Sequence, residues 1–112
     1  MDLKTTTGEK FSQIDIFEEV NLYNAPDLKK AAMELIENSC KNLIVSFKDV
    51  SYIDSTGIGT LILLHKNITA KQGKLYITDL SRTLETFFHT AKVGTILNLF
   101  STSAEAKADI RS

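Results

Sequence analysis

Apolar residues recur along the chain in two rhythms, every second residue or every third to fourth, and their succession predicts its elements. Leu3 among the threonines before Gly8-Glu9-Lys10 predicts a short strand over 2–7 and a tight turn. Phe11, Ile14, Ile16, Phe17 and Val20 mark a hairpin partner over 11–20, with a bulge or an early strand end near Phe17, where the alternation breaks. Asn24-Ala25-Pro26-Asp27 combines a capping residue, a first-turn proline and an acid, so a helix starts there. Leu28, Ala31, Ala32, Leu35 and Ile36 then form one buried stripe. Leu43 to Phe47 is apolar on both sides of the pleat except at Ser46, as in a central strand.

In the second helix Ile58, Leu61, Ile62, His65 and Thr69 share one arc, and Gly73 ends the region. Thr56, Thr60, Leu63 and Asn67 project from the opposite side. Lys74 to Asp79 alternates as a strand. Ser81 caps a third helix with Leu84, Phe87, Phe88 and Ala91 inward, closed by Gly94 as a left-handed C-cap. Ile96 to Phe100 is a last short strand, and Thr102-Ser103-Ala104-Glu105 is a capping box opening a terminal helix through Ile110. The order ββαβαβαβα predicts an α/β fold: one domain over 1–112, its mixed, mostly parallel sheet opened by a hairpin and covered by about four helices.

Composition narrows the function. At 112 residues and 43% hydrophobic content the chain suits one core. Thirteen basic residues against 14 acids leave a net charge of −1, without the footprint of a nucleic-acid binder. The single Cys40 forms no intrachain disulfide and suits a reducing compartment. No leader pattern opens the chain and no apolar run approaches the ~20 residues of a membrane span, so a soluble cytoplasmic protein is expected.

The chemistry concentrates in Val50-Ser51-Tyr52-Ile53-Asp54-Ser55-Thr56-Gly57-Ile58-Gly59, a turn between the central strand and the second helix. Asp54 and Ser55 both suit an N-cap, because a side-chain oxygen there accepts an unpaired N–H of the first turn. A phosphate on Ser55 would face those N–H groups and the positive end of the helix dipole. An ordinary helix cap is the plain alternative. A nucleophile elbow needs a glycine where Ile53 stands, an aspartic protease turn lacks its directly following glycine because Thr56 intervenes, and Gly57-Ile58-Gly59 lacks a third glycine at Ile62. His65 and His89 read as structural histidines, and no cluster suggests a metal site or a cofactor.

The same segment resembles the signature of the STAS family, in particular its stand-alone bacterial anti-sigma factor antagonists. Leu22-Tyr23-Asn24-Ala25-Pro26-Asp27-Leu28, the Leu43–Phe47 strand and the spacing of the last two helices extend the resemblance along nearly the whole chain. It implies that Ser55 is phosphorylated by an ATP-dependent serine kinase that is also the anti-sigma factor, and that a metal-dependent serine phosphatase removes the phosphate. The unmodified form would bind the kinase and free its sigma factor. Asp54, Thr56, Gly57 and Gly59 would support the switch, and Thr56 could accept the phosphate if Ser55 were blocked. Thr60, Leu63 and Asn67 would contact the partner, with Asn21 in the loop after the second strand. That loop reads Glu18-Glu19-Val20-Asn21 where the family usually has Gly-Glu-hydrophobic-Asp, and Lys92 follows Ala91 where a glycine is common. The chain itself should bind no ATP, and no spacing sets a base near Ser55 for an enzyme. The alternative within the family is a scaffold subunit of a stress-sensing complex or a regulatory domain of a membrane transporter.

Overall fold

The computed structural model describes all 112 residues, Met1–Ser112. Its elements are β1 Leu3–Thr7, β2 Ser12–Ile16, α1 Ala25–Glu37, β3 Asn42–Ser46, α2 Ser55–Ala70, β4 Lys74–Thr78, α3 Arg82–Thr90, β5 Asn98–Phe100 and α4 Ser103–Arg111, in the expected order. The five strands form one sheet in sequence order. β1 runs antiparallel to β2, and β2 through β5 are parallel.

Alternation in each strand assigns the two faces. Ile14, Ile16, Leu43, Val45, Leu75 and Ile77 point to the side covered by α1, α2 and α3 and belong to the main core. Phe47 and Phe88 meet there edge to face at 6.2 Å, a favourable aromatic geometry. The other side carries a smaller cluster of Ile44 and Tyr76 under Ala106 of α4. Tyr76 donates a hydrogen bond to Asp109 at 2.9 Å, Lys74 pairs with the same carboxylate at 3.2 Å, and the Lys74 ammonium lies over the Tyr76 ring. This set pins the far end of α4 to β4.

Several boundaries differ from the sequence expectation for tertiary reasons. β2 stops at Ile16, and Val20 makes a separate parallel bridge to Ile53. α2 packs against both α1 and β4, so its buried arc is Gly57, Ile58, Leu61, Leu64 and Ile68, while Thr69 is exposed. Only Leu84 and Phe88 of α3 are buried; Phe87 and Ala91 face outward because this short helix touches the sheet along a narrow line, and Val93 and Leu97 complete its packing.

Gly94 is not a left-handed cap. The left-handed residues that end α1, α2 and α3 are Ser39, Gln72 and Lys92. Each lies in a Schellman motif: Cys40 N–H donates to Leu35, Gly73 N–H to Ile68 and Val93 N–H to Phe88, all to backbone carbonyls. Gly73 is required for another reason, because a Cβ there would lie 2.5 Å from the Lys41 carbonyl oxygen.

Candidate functional site

The parallel strands point their carboxyl ends at one edge of the molecule, the edge where open α/β sheets carry their sites. β3 leads there through Phe47 to Ile53, and the turn then enters α2. Asp54 is the N-cap, extended in backbone, with its carboxylate accepting the Gly57 N–H at 2.9 Å. Its second oxygen accepts the Leu22 N–H, also at 2.9 Å. The Asp54 N–H donates to the Val20 carbonyl and the Val20 N–H to the Tyr52 carbonyl. One aspartate therefore caps the helix and ties it to the loop after β2.

Ser55 is the first residue of α2 and is exposed. Both oxygens of its neighbour are engaged elsewhere, so the hydroxyl lies outside the capping network. The unpaired N–H groups of the first turn lie beside it, a setting suited to an anion. Thr56 is also exposed.

The two glycines have opposite environments. Gly57 is buried, and a Cβ on it would lie 2.5 Å from Ile53 Cγ1 and 2.9 Å from Val20 Cγ1, so the Val20–Ile53 bridge closes only over a glycine. Gly59 is exposed with open space around it, and nothing within the chain requires it. The other candidates on the outer side of α2 stand together: Thr60 donates to the Thr56 carbonyl, Asn67 donates to the Leu63 carbonyl, and Leu63 is 37% exposed between them. With those donors turned onto their own helix, the strip from Ser55 to Asn67 is uncharged except for Lys66 at its side.

Asn21, the candidate in the loop after β2, is also bonded within that loop. Its side-chain oxygen accepts the Tyr23 and Asn24 N–H groups and its amide donates to Glu19, so the side chain builds the loop. Asn24 answers by accepting the Asn21 N–H and donating to Glu18 and the Glu19 carbonyl. The residues this turn displays, Leu22 and Tyr23, were not among the sequence candidates. The signal for them is the Asn21–Asn24 bracket, since two bulky residues inside an Asx turn have no core to enter. Glu18 also accepts the Asp2 N–H; that bond first, then the one from Asn24, holds its carboxyl below the usual range.

His65 is half-buried on α2 with an unpartnered Nδ1, and His89 is exposed in the last turn of α3; neither neighbours Ser55 in the chain. No group of histidine, cysteine and carboxylate side chains has a metal-binding arrangement. No helix is long and apolar enough to cross a membrane.

Comparison with known proteins agrees with this geometry. The anti-sigma-B factor antagonist of Bacillus subtilis is 32% identical over 96 residues, covering 86% of this chain and 87% of that protein. An anti-sigma factor antagonist from Mycobacterium paratuberculosis superposes with a TM-score of 0.90 at 16% identity, over 99% of this chain and 94% of that one. The Bacillus cell fate determinant SpoIIAA, solved in its phosphorylated form, superposes with a TM-score of 0.75 at 19% identity, over 98% of this chain and 100% of that one. At such identities the two structures show likeness of fold. The model of the STAS domain matches residues 2–106, and the chain belongs to the STAS family.

Proposed function

We propose that the whole chain, 1–112, is one STAS domain acting as a partner-switching regulator. With Ser55 unmodified it binds an anti-sigma factor that is also an ATP-dependent serine kinase, and so relieves inhibition of a sigma factor. Phosphate on Ser55 ends that binding, and a metal-dependent serine phosphatase restores it. The observation that carries the reading is an exposed serine at the first position of α2, directly after a cap whose two oxygens are already committed. The name of the Bacillus subtilis relative, an antagonist of an anti-sigma factor, supports the choice of partner, and the phosphorylated form of SpoIIAA supports the modification.

The physical argument runs through charge. A phosphate adds about −1.5 to −2 charges. On the free protein the N–H groups of the first turn receive it, so the fold survives. Inside a packed interface the same group must lose its water beside the Asp54 carboxylate, and it faces the nucleotide phosphates of the kinase that delivered it. Both effects oppose binding. Thr56, Gly59, Thr60, Leu63 and Asn67 continue the contact along α2, and the regulator performs no chemistry of its own.

Protein isolated from its host should carry one phosphate, mapped to Ser55 by mass spectrometry and absent from Ser55→Ala. An ATPase-type kinase should co-purify with the unmodified form alone. Leu63→Arg should weaken that capture with circular dichroism unchanged. A Ser55 that is never phosphorylated while the same kinase binds would overturn the switch.

A further inference from the structure

We infer that β1 is a pairing edge for a second copy of this chain, and that two copies join their sheets by antiparallel contact of β1 with β1, centred on Thr5. The inference is independent of the reading of Ser55. β1 and β5 are the two edges of the sheet. β5 spans only Asn98–Phe100, whereas β1 spans Leu3–Thr7 in unbroken register with β2. Proteins blunt such an edge with proline, a bulge or repeated charge. β1 has no proline, no bulge and a single charge at Lys4, and Lys4, Thr5, Thr6 and Thr7 are all exposed.

The hydrogen bonds fix which groups of that edge are free. The Phe17 N–H donates to the Asp2 carbonyl at 2.9 Å and the Gly8 N–H to the Phe11 carbonyl at 2.8 Å, so the bonded pairs of this antiparallel ladder fall at even positions of β1. Lys4 and Thr6 therefore turn their backbone groups inward, to Asp15 and Gln13. Leu3, Thr5 and Thr7 turn theirs outward, where the sheet has no further strand. About a twofold axis at Thr5, the two Thr5 residues exchange one pair of bonds, and each Leu3 exchanges another pair with Thr7 of the second copy. Every outward group is then satisfied. A one-residue shift would oppose outward groups to inward ones, and a two-residue shift would carry Leu3 or Thr7 beyond the strand end.

Side chains and charge agree with that register. Leu3, Thr5 and Thr7 stand opposite Ile16, Ile14 and Ser12, on the helix-covered side of the sheet. In the joined sheet the Thr5 pair is flanked by two Leu3–Thr7 contacts, and β-branched cross-strand pairs of this kind stabilise a sheet. On the other side Lys4 meets Thr6 of the second copy, and its partner within the chain is Asp15, so no like charges stand directly opposite. Because the copies run antiparallel, their Ser55 turns lie at opposite ends of the joined sheet, and both stay open.

The test is sedimentation velocity of the purified full chain from about 10 μM to about 1 mM. The bonds gained, set against the cost of association, place the Kd of the dimer on the order of 100 μM. Thr5→Pro removes both central bonds and none of those to β2, so it should raise that Kd about 30-fold with circular dichroism unchanged. Thr5→Lys and Thr5→Glu keep the backbone donor but set like charges opposite each other. Each alone should weaken the dimer about fivefold, and an equal mixture of the two should recover the association of the parent. In a mixed isotope-labelled sample, an NOE between the α-protons of Lys4 and Thr6 from different copies should mark the register. A chain that stays monomeric over the whole range overturns the inference. So does a dimer indifferent to these charges, or one that the mixture fails to recover, since it forms through another surface. Should Thr5→Pro unfold, the charge pair decides.

Discussion

Asp54 and Asp79 follow parallel strands toward the same edge of the sheet, and each uses its carboxylate to hold the start of a helix, yet they leave different surfaces behind. Asp79 follows β4 directly in a left-handed conformation, and one of its oxygens accepts from the Ser46 and Thr78 hydroxyls and from the Ser103 N–H of α4. Its neighbouring hydroxyls are thus drawn inward. Asp54 binds two backbone N–H groups and takes no hydroxyl, so Ser55 stays free at the helix end. The same side-chain chemistry builds a closed polar hub in one place and an open site in the other. What separates them is whether a hydroxyl is left over.

That contrast is sharpest in stability. Asp79→Ala should cost about 3 kcal/mol in urea denaturation, because a shared charge-assisted acceptor is lost and alanine inherits a positive φ. The first amides of α4 should then exchange faster with solvent. Gly57→Ala should cost about 2 kcal/mol, since the new methyl group drives into Ile53 and Val20. Asp54→Ala should cost about 1–2 kcal/mol, the usual worth of a cap, and should raise exchange at both Gly57 and Leu22. Equal losses at Asp54 and Asp79 would erase the distinction between an open and a closed hub.

Smaller effects mark regions away from the site. Lys92→Gly should stabilise the protein by about 0.5–1 kcal/mol, because glycine adopts the left-handed end of α3 without steric cost. Titration probes the latch of α4. The Tyr76 bond first, then that from Lys74, holds the Asp109 carboxyl below its usual range, so this contribution is present above the ordinary carboxylate pKa and lost as pH falls through the depressed value. Burial, then Asp109, pushes Tyr76 up to about 12, so its contribution is present below about 10 and lost as pH rises toward 12. Denaturation across pH should show both limbs, and Tyr76→Phe should remove the alkaline one and shrink the acid one.

Much of this was legible in the chain, because caps and periodicity are local. Asn24-Ala25-Pro26-Asp27, Asp54 before α2, Ser81 before α3 and Thr102 with Glu105 each marked a helix start within its own few residues. Gly94 misled because a glycine two positions beyond the true left-handed residue offers the same local signal, and the packing of Val93 sets the turn at Lys92. Thr69 and Phe87 were placed inward because a helical wheel fixes relative angles, whereas the burying face depends on which neighbour packs against it. The bridge from Val20 to Ile53 and the bond from Leu22 to Asp54 join residues more than thirty positions apart, so no local pattern announced them.

The most direct test of the switch is the affinity of the captured kinase for the purified chain in two states, unmodified and phosphorylated at Ser55, with the amide spectrum of each recorded alongside. Binding should fall by more than about 100-fold on phosphorylation, while spectral changes stay confined to the start of α2 and the Leu22–Tyr23 loop. Equal affinity of the two states, or a loss that follows general unfolding, would contradict the account.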